Sequence, residues 1–153
     1  MSSDDEYNSV KYGDSLQLTN WILDSGATCH MTPEVSDFIP LTLEDTDKYI
    51  EVADGHHVTA KQKGQVRIQI CEDNGKTFIA TLHNVLLEPD LCDRLSSIVT
   101  LMNAGHTCLF HKGFCTVYFE ADKINAVTCS RDNRNRQGYT LHACTMRQSR
   151  ERS

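Results

Sequence analysis

The chain has 153 residues, of which 39% are hydrophobic and 24% charged, enough for one domain with a tail and a core that needs no staples. Its apolar runs reach about four residues against the roughly 20 that a membrane helix needs, and the acidic opening MSSDDEYNSV is not a signal peptide. The net charge of −6 divides unevenly: residues 131–153 carry six Arg against Asp132 and Glu151, a net of +4, and read as a solvated tail or a junction to a next module rather than a nucleic-acid contact, while the rest carries −10 and does not bind nucleic acid by charge alone.

In chain order, residues 1–15 read as a flexible lead-in. Leu16 to Leu23 alternates, then runs apolar, and ends on Asp24 followed by Ser25, Gly26 and Ala27. Tyr49–Val52 and Val58–Ala60 flank Ala53-Asp54-Gly55, and Asp-Gly between two β-prone runs predicts a hairpin. Val66-Arg67-Ile68-Gln69-Ile70 alternates with period two and has one buried face. Asn74-Gly75 turns the chain back into Thr77–Leu82, and Asn84–Leu87 is a further strand.

Residues 91–104, LCDRLSSIVTLMNA, are the one helix the pattern predicts. Leu91, Leu95, Ile98, Val99 and Met102 recur at helical spacing as a core stripe, and Gly105 stands in the usual closing position. Thr107–Phe110 and Phe114–Phe119 form a hairpin over His111-Lys112-Gly113, and Tyr139–His142 is a possible last strand. Many short strands with frequent turn signals and one short helix describe an all-β sandwich or barrel. Seven cysteines, odd in number and irregularly spaced, read as reduced thiols of an intracellular protein.

The stretch WILDSGATCHM, residues 21–31, carries the chemistry. An apolar strand that delivers a carboxylate desolvates it, and small residues directly after it admit a second backbone. One carboxylate cannot both activate a water and protonate a leaving amide nitrogen. Two that share a proton can, because like charges about 3 Å apart do not both ionise. With one Asp-Ser-Gly in the chain, the simplest source of the second Asp is another copy related by a two-fold axis.

Asp24-Ser25-Gly26-Ala27 after an apolar strand resembles the active-site motif of retropepsins, and the longer string to His30-Met31 resembles its copia-type retrotransposon version. Val52-Ala53-Asp54-Gly55, Gly64, Asn84-Val85-Leu86-Leu87, Pro89, Leu91, Leu95, Ser97, Leu101, Gly105 and Phe110 continue the likeness, in order, over about residues 18–120. The resemblance implies a retropepsin-like half-barrel with its active site at a homodimer interface. It implies an aspartic endopeptidase that processes a Gag-Pol polyprotein without a cofactor, in the cytoplasm or within virus-like particles.

Carried over residue by residue, Asp24 is the catalytic aspartate and Ser25 hydrogen-bonds across the dimer. Gly26 supports the loop and lies close to the substrate main chain, and Ala27 lines the cleft. Thr28 and Cys29 stand where many retroviral enzymes place an Asp that binds substrate main chain, so the likeness places Thr28 at the substrate. Ala53, Asp54 and Gly55 become the tip of a flap. Cys92 and Ser96 depart from the family pattern. The implied domain spans residues 16–120, and 121–153 resemble a basic extension toward an integrase linker.

Other readings of the same residues stay open. Asp24 could be a turn or capping aspartate, and Asp54-Gly55 an ordinary hairpin turn. Cys108, His111 and Cys115, with Cys129 and His106 near in sequence, invite a zinc site but lack an obvious fourth ligand; half-buried strand cysteines explain them without metal. His30 could orient the loop, bind a ligand or pack, and His56-His57 could make a flap respond to pH. The alternative function is a domesticated or inactive retropepsin-like module that dimerises or binds a partner without cleaving.

Overall fold

Thirteen short strands and one helix account for most of residues 20–51, 55, 57–119, 125–132 and 138–146, which the structure, a computed structural model, describes. The strands are β1 (Trp21–Asp24), β2 (Met31–Thr32), β3 (Glu44–Asp45), β4 (Tyr49–Glu51), β5 (His57–Thr59), β6 (Gln62–Cys71) and β7 (Thr77–Leu87). After them come β8 (Arg94–Ser97), helix α1 (Ile98–Asn103), β9 (Thr107–His111), β10 (Phe114–Phe119), β11 (Asn125–Arg131), β12 (Gly138–Leu141) and β13 (Ala143–Thr145). A single 3₁₀ turn, Val35–Asp37, follows β2. None of the described helices is long and apolar enough to cross a membrane.

One sheet runs β13-β6-β7-β2-β8-β1-β12-β11-β10-β9, with β3 on β6; β4 and β5 form a separate hairpin. Connectivity forces the sheet to curl. β12 pairs with β1 near its middle while β13 pairs with β6 at its end, and His142 alone separates them. The curl is fastened where Trp21 Nε1 on β1 donates to Thr145 Oγ1 on β13 at 3.2 Å. Inside lie Trp21, Leu23, Val66, Ile68, Ile70, Leu82, Val85, Ile98, Leu101, Cys115, Val117, Phe119, Val127, Cys129, Tyr139 and Leu141. Each apolar side chain of this size contributes about 1.5–3 kcal/mol when fully buried.

The period-two reading of β6 holds: Val66, Ile68 and Ile70 are buried and Arg67 and Gln69 are not. β6 and β7 pair along nearly their whole length, and the register slips between Gly64 and Val66. Two β7 residues there oppose one on β6, and Asn84 takes a left-handed backbone (φ 56°) that asparagine tolerates better than most residues.

The structure corrects two expectations. The helical spacing from Leu91 predicts a helix over 91–104, but only 98–103 is helical. Residues Arg94–Ser97 are instead a strand, because they supply the parallel partner that β1 needs. The stripe is also not all core: Ile98 and Leu101 are buried, whereas Val99 and Met102 are exposed. Second, the sheet continues past residue 120. β11, β12 and β13 lie in the segment expected to be an extension, and they pair with β10, β1 and β6.

Candidate active site

β1 carries Asp24 into the centre of the fold. All four of its residues are buried, and it lies between β8, parallel, and β12, antiparallel, with Asp24 opposite Ser97 on one side and Gly138 on the other. The chain then reverses. Gly26 N–H donates to Asp24 Oδ1 at 2.7 Å, and Ala27 N–H reaches the Asp24 carbonyl at 3.4 Å. Asp24 and Ala27 are each 4% exposed, while Ser25 and Thr28 face outward.

The loop is bolted to the β8–α1 junction. Ser97 Oγ donates to the Ala27 carbonyl at 2.7 Å and accepts the Thr100 N–H at 3.1 Å, so one hydroxyl caps the helix and holds the loop. Thr100 Oγ1 donates to the Thr28 carbonyl at 3.0 Å. His30, 3% exposed, takes the Ser97 N–H on Nδ1 at 3.0 Å, with Ser96 Oγ 3.4 Å from the same nitrogen. Burial first, then the charges of His83 and His106, push the imidazole pKa down from 6.5 to about 4. The Ser96 departure therefore places a hydroxyl beside this imidazole.

Beneath the loop, β8 is held by a buried ion pair that sequence reasoning missed. The Asp37 carboxylate, with no exposed surface, accepts from Arg94 Nε at 2.6 Å, Arg94 Nη2 at 3.1 Å and Thr32 Oγ1 at 2.6 Å. Its partners lie 57 residues apart in the chain, so no local signal marks them.

Ala53 and Asp54 lie outside the described residues, as does His56. Gly55 is exposed with φ 92°, a backbone that favours glycine. The two arms around it pair as β4 and β5, so a hairpin is present where the Asp-Gly signal predicts one. Ile50 of its first arm and Ala60 at its base share a small apolar cluster with Ala27, Met31 and Leu86. The hairpin is thus anchored on the Asp24 loop. A cavity of about 500 Å³ lies between the hairpin side (His57, Thr59, Lys61) and the β7 exit (Leu87, Glu88, Pro89, Asp90); Asp24 is not one of its walls.

The cysteines form a separate cluster. Register puts Cys108, Cys115 and Cys129 on one face of the β9–β10–β11 sheet and His111 on the other, where its Nε2 lies 2.8 Å from Thr116 Oγ1. Burial pushes the Cys129 thiol up to about 12. All seven cysteines are free thiols. No cluster of three or more His, Cys, Asp or Glu suited to a metal ion occurs among the described residues.

A family model described as the Pol polyprotein β-barrel domain matches residues 21–106, from the start of β1 to just past α1. The retrovirus-related Pol polyprotein from transposon RE1 of Arabidopsis thaliana is 34% identical over 96 residues. That alignment covers 61% of this chain and 6% of the polyprotein. No solved structure matches.

Proposed function

Because the chain belongs to the family of Pol polyprotein β-barrel domains, we propose that it is the aspartic endopeptidase of a copia-type retrotransposon. It cuts the Gag-Pol polyprotein as a homodimer, with one Asp24 from each subunit, in the cytoplasm or within virus-like particles. The observation that carries this reading is the Asp24 loop: a buried apolar strand ends on a carboxylate, three small residues follow, and the turn is fixed by Ser97 and Thr100. The β4–β5 hairpin, anchored through Ile50 and Ala60 on the Ala27 side of that loop, supports a flap.

In the dimer the two Asp24 carboxyls share one proton. The ionised carboxylate takes a proton from a water held between them while the water oxygen attacks the scissile carbonyl carbon. The protonated carboxyl gives its proton to the carbonyl oxygen. Collapse of the tetrahedral intermediate breaks the C–N bond, and a carboxyl proton passes to the leaving nitrogen. Ser25 and Thr28 face outward, which supports contact with a partner or substrate, and Gly26 lets the substrate main chain approach. Closure of the hairpin, with Gly55 at its tip, excludes water from the reacting bond.

A non-cleaving module is favoured by one observation. In the single chain Asp24 is 4% exposed and its Oδ1 already accepts the Gly26 N–H. Expression of a precursor with its flanking polyprotein, beside its Asp24→Asn form, separates the two. Fragments that appear only with Asp24 intact establish the protease. An intact precursor from pH 4 to 7, with the dimer verified by ultracentrifugation, establishes the module.

A further inference from the structure

We propose that His30 is a positioning residue for the Asp24 loop: its neutral imidazole accepts the Ser97 backbone N–H and so sets the hydroxyl that holds the Ala27 carbonyl. The inference rests on the protease reading for its effect on rate, but not for its geometry.

The Ser97 N–H can only donate, so His30 Nδ1, 3.0 Å away, must carry a lone pair and the ring proton must sit on Nε2. Ser96 Oγ, 3.4 Å from the same nitrogen, is then a second donor. Ser97 is thus gripped by its backbone while its hydroxyl serves Ala27 and Thr100 together. His30 closes the far end of the loop whose near end is Asp24. Its own carbonyl accepts the Leu86 N–H at 2.9 Å, which ties it to β7 as well. The loop is therefore fixed to β8 and α1 at residues 27, 28 and 30, and the fixture at residue 30 exists in one protonation state only.

Protonation of Nδ1 would set two N–H donors against each other and release Ser97. The neighbours keep that state away at neutral pH. Burial opposes a positive charge on the ring most, His83 on β7 and His106 after α1 add to it, and β8 offers only the uncharged Ser96 and Ser97 beside Nδ1. An acid limb follows: as pH falls toward 4 the loop loses its grip on Ala27.

The test uses three forms of the protein. His30→Asn places an amide oxygen near the Nδ1 position and does not titrate; His30→Leu supplies no acceptor. With a peptide substrate at pH 6.5, His30→Asn is expected to keep kcat within about threefold of the parent, and His30→Leu to lose on the order of a hundredfold in kcat with little change in KM. The fall of kcat below about pH 5 is expected in the parent and is moved to lower pH in His30→Asn. In parallel, ¹⁵N spectra of the histidine rings in Asp24→Asn protein report the tautomer without catalysis. An unprotonated Nδ1 down to about pH 4.5, with Ala27 and Thr28 amide shifts that change only below it, is the expected result. A protonated Nδ1 at pH 6.5, or an acid limb identical in parent and His30→Asn, overturns the proposal. Should the parent fail to cleave, the ring spectra still decide for or against His30. Should His30→Leu fail to fold, the pH profile of His30→Asn decides.

Discussion

Replacing Arg94 with Leu isolates the interaction on which the strand beneath Asp24 depends. Asp37 is fully buried, and Arg94, with 15% of its side chain exposed, supplies two of its hydrogen bonds and a positive charge. Removing one partner of a buried pair costs about 3–5 kcal/mol, because a desolvated charge is left behind. Against a domain stability of about 5–15 kcal/mol, that is about a fifth or more of the total. Trp21, the chain's one tryptophan, has no exposed surface and pairs with Arg94 across β1 and β8, so its fluorescence reports unfolding at the relevant place. At a urea slope of about 2 kcal/mol per molar, the midpoint falls by roughly 2 M. The double variant Asp37→Leu/Arg94→Leu is expected to recover at least half of the loss, since no charge remains buried. A loss below about 1 kcal/mol for Arg94→Leu, or a double variant as unstable as the sum of the single ones, refutes the reasoning.

Three further outcomes are expected. Gly64→Ala places a Cβ 2.8 Å from the Phe38 ring and 3.2 Å from the Thr42 carbonyl; a loss of about 1–3 kcal/mol by chemical denaturation is expected, and a neutral result contradicts the packing. Leu41 is the third residue of the turn Ile39-Pro40-Leu41-Thr42, closed by Thr42 N–H to Ile39 O at 3.2 Å, and has φ 69° with its side chain wholly exposed. Glycine suits that position, so Leu41→Gly is expected to gain about 1 kcal/mol, read as a higher melting temperature. His30, with its pKa lowered from 6.5 to about 4, protonates in the unfolded chain before the folded one. Stability is therefore full above pH 6.5, falls as pH drops, and stops falling from this source below about 4; the total is about 3 kcal/mol. His30→Asn removes that slope from urea titrations, and an unchanged slope contradicts the assignment.

Local chemistry was legible in the sequence and non-local pairing was not. The β4–β5 hairpin, the alternation of β6 and the positive-φ turn at Gly105 follow from short-range patterns, and each stands where those patterns put it. Arg94–Ser97 reads in helical phase with Leu91 and Ile98, and only a parallel partner 73 positions away makes it a strand, as Trp21 opposite Arg94 records. β11 and β13 were obscured for a related reason, whereas Tyr139–His142 reads as a strand where β12 stands. Their stretch carries Arg and Asn residues that read as a solvated tail, yet Val127, Cys129, Tyr139 and Leu141 alternate into the core. At the site, Asp24 was evident from its strand and its small neighbours. Ser97, Asp37 and the acceptor role of His30 depend on contacts across 57 to 70 residues, which no spacing rule encodes.

Subunit mixing tests the central claim most directly. Wild-type protein and an equal amount of Asp24→Asn protein are allowed to exchange subunits, and cleavage of a peptide substrate is followed at fixed total concentration. A site built from one Asp24 of each chain leaves about a quarter of the dimers competent, so the rate falls to about a quarter of that of unmixed wild-type protein. A rate of about half, the value for chains that each cleave alone, contradicts the account, as does cleavage by the Asp24→Asn protein itself.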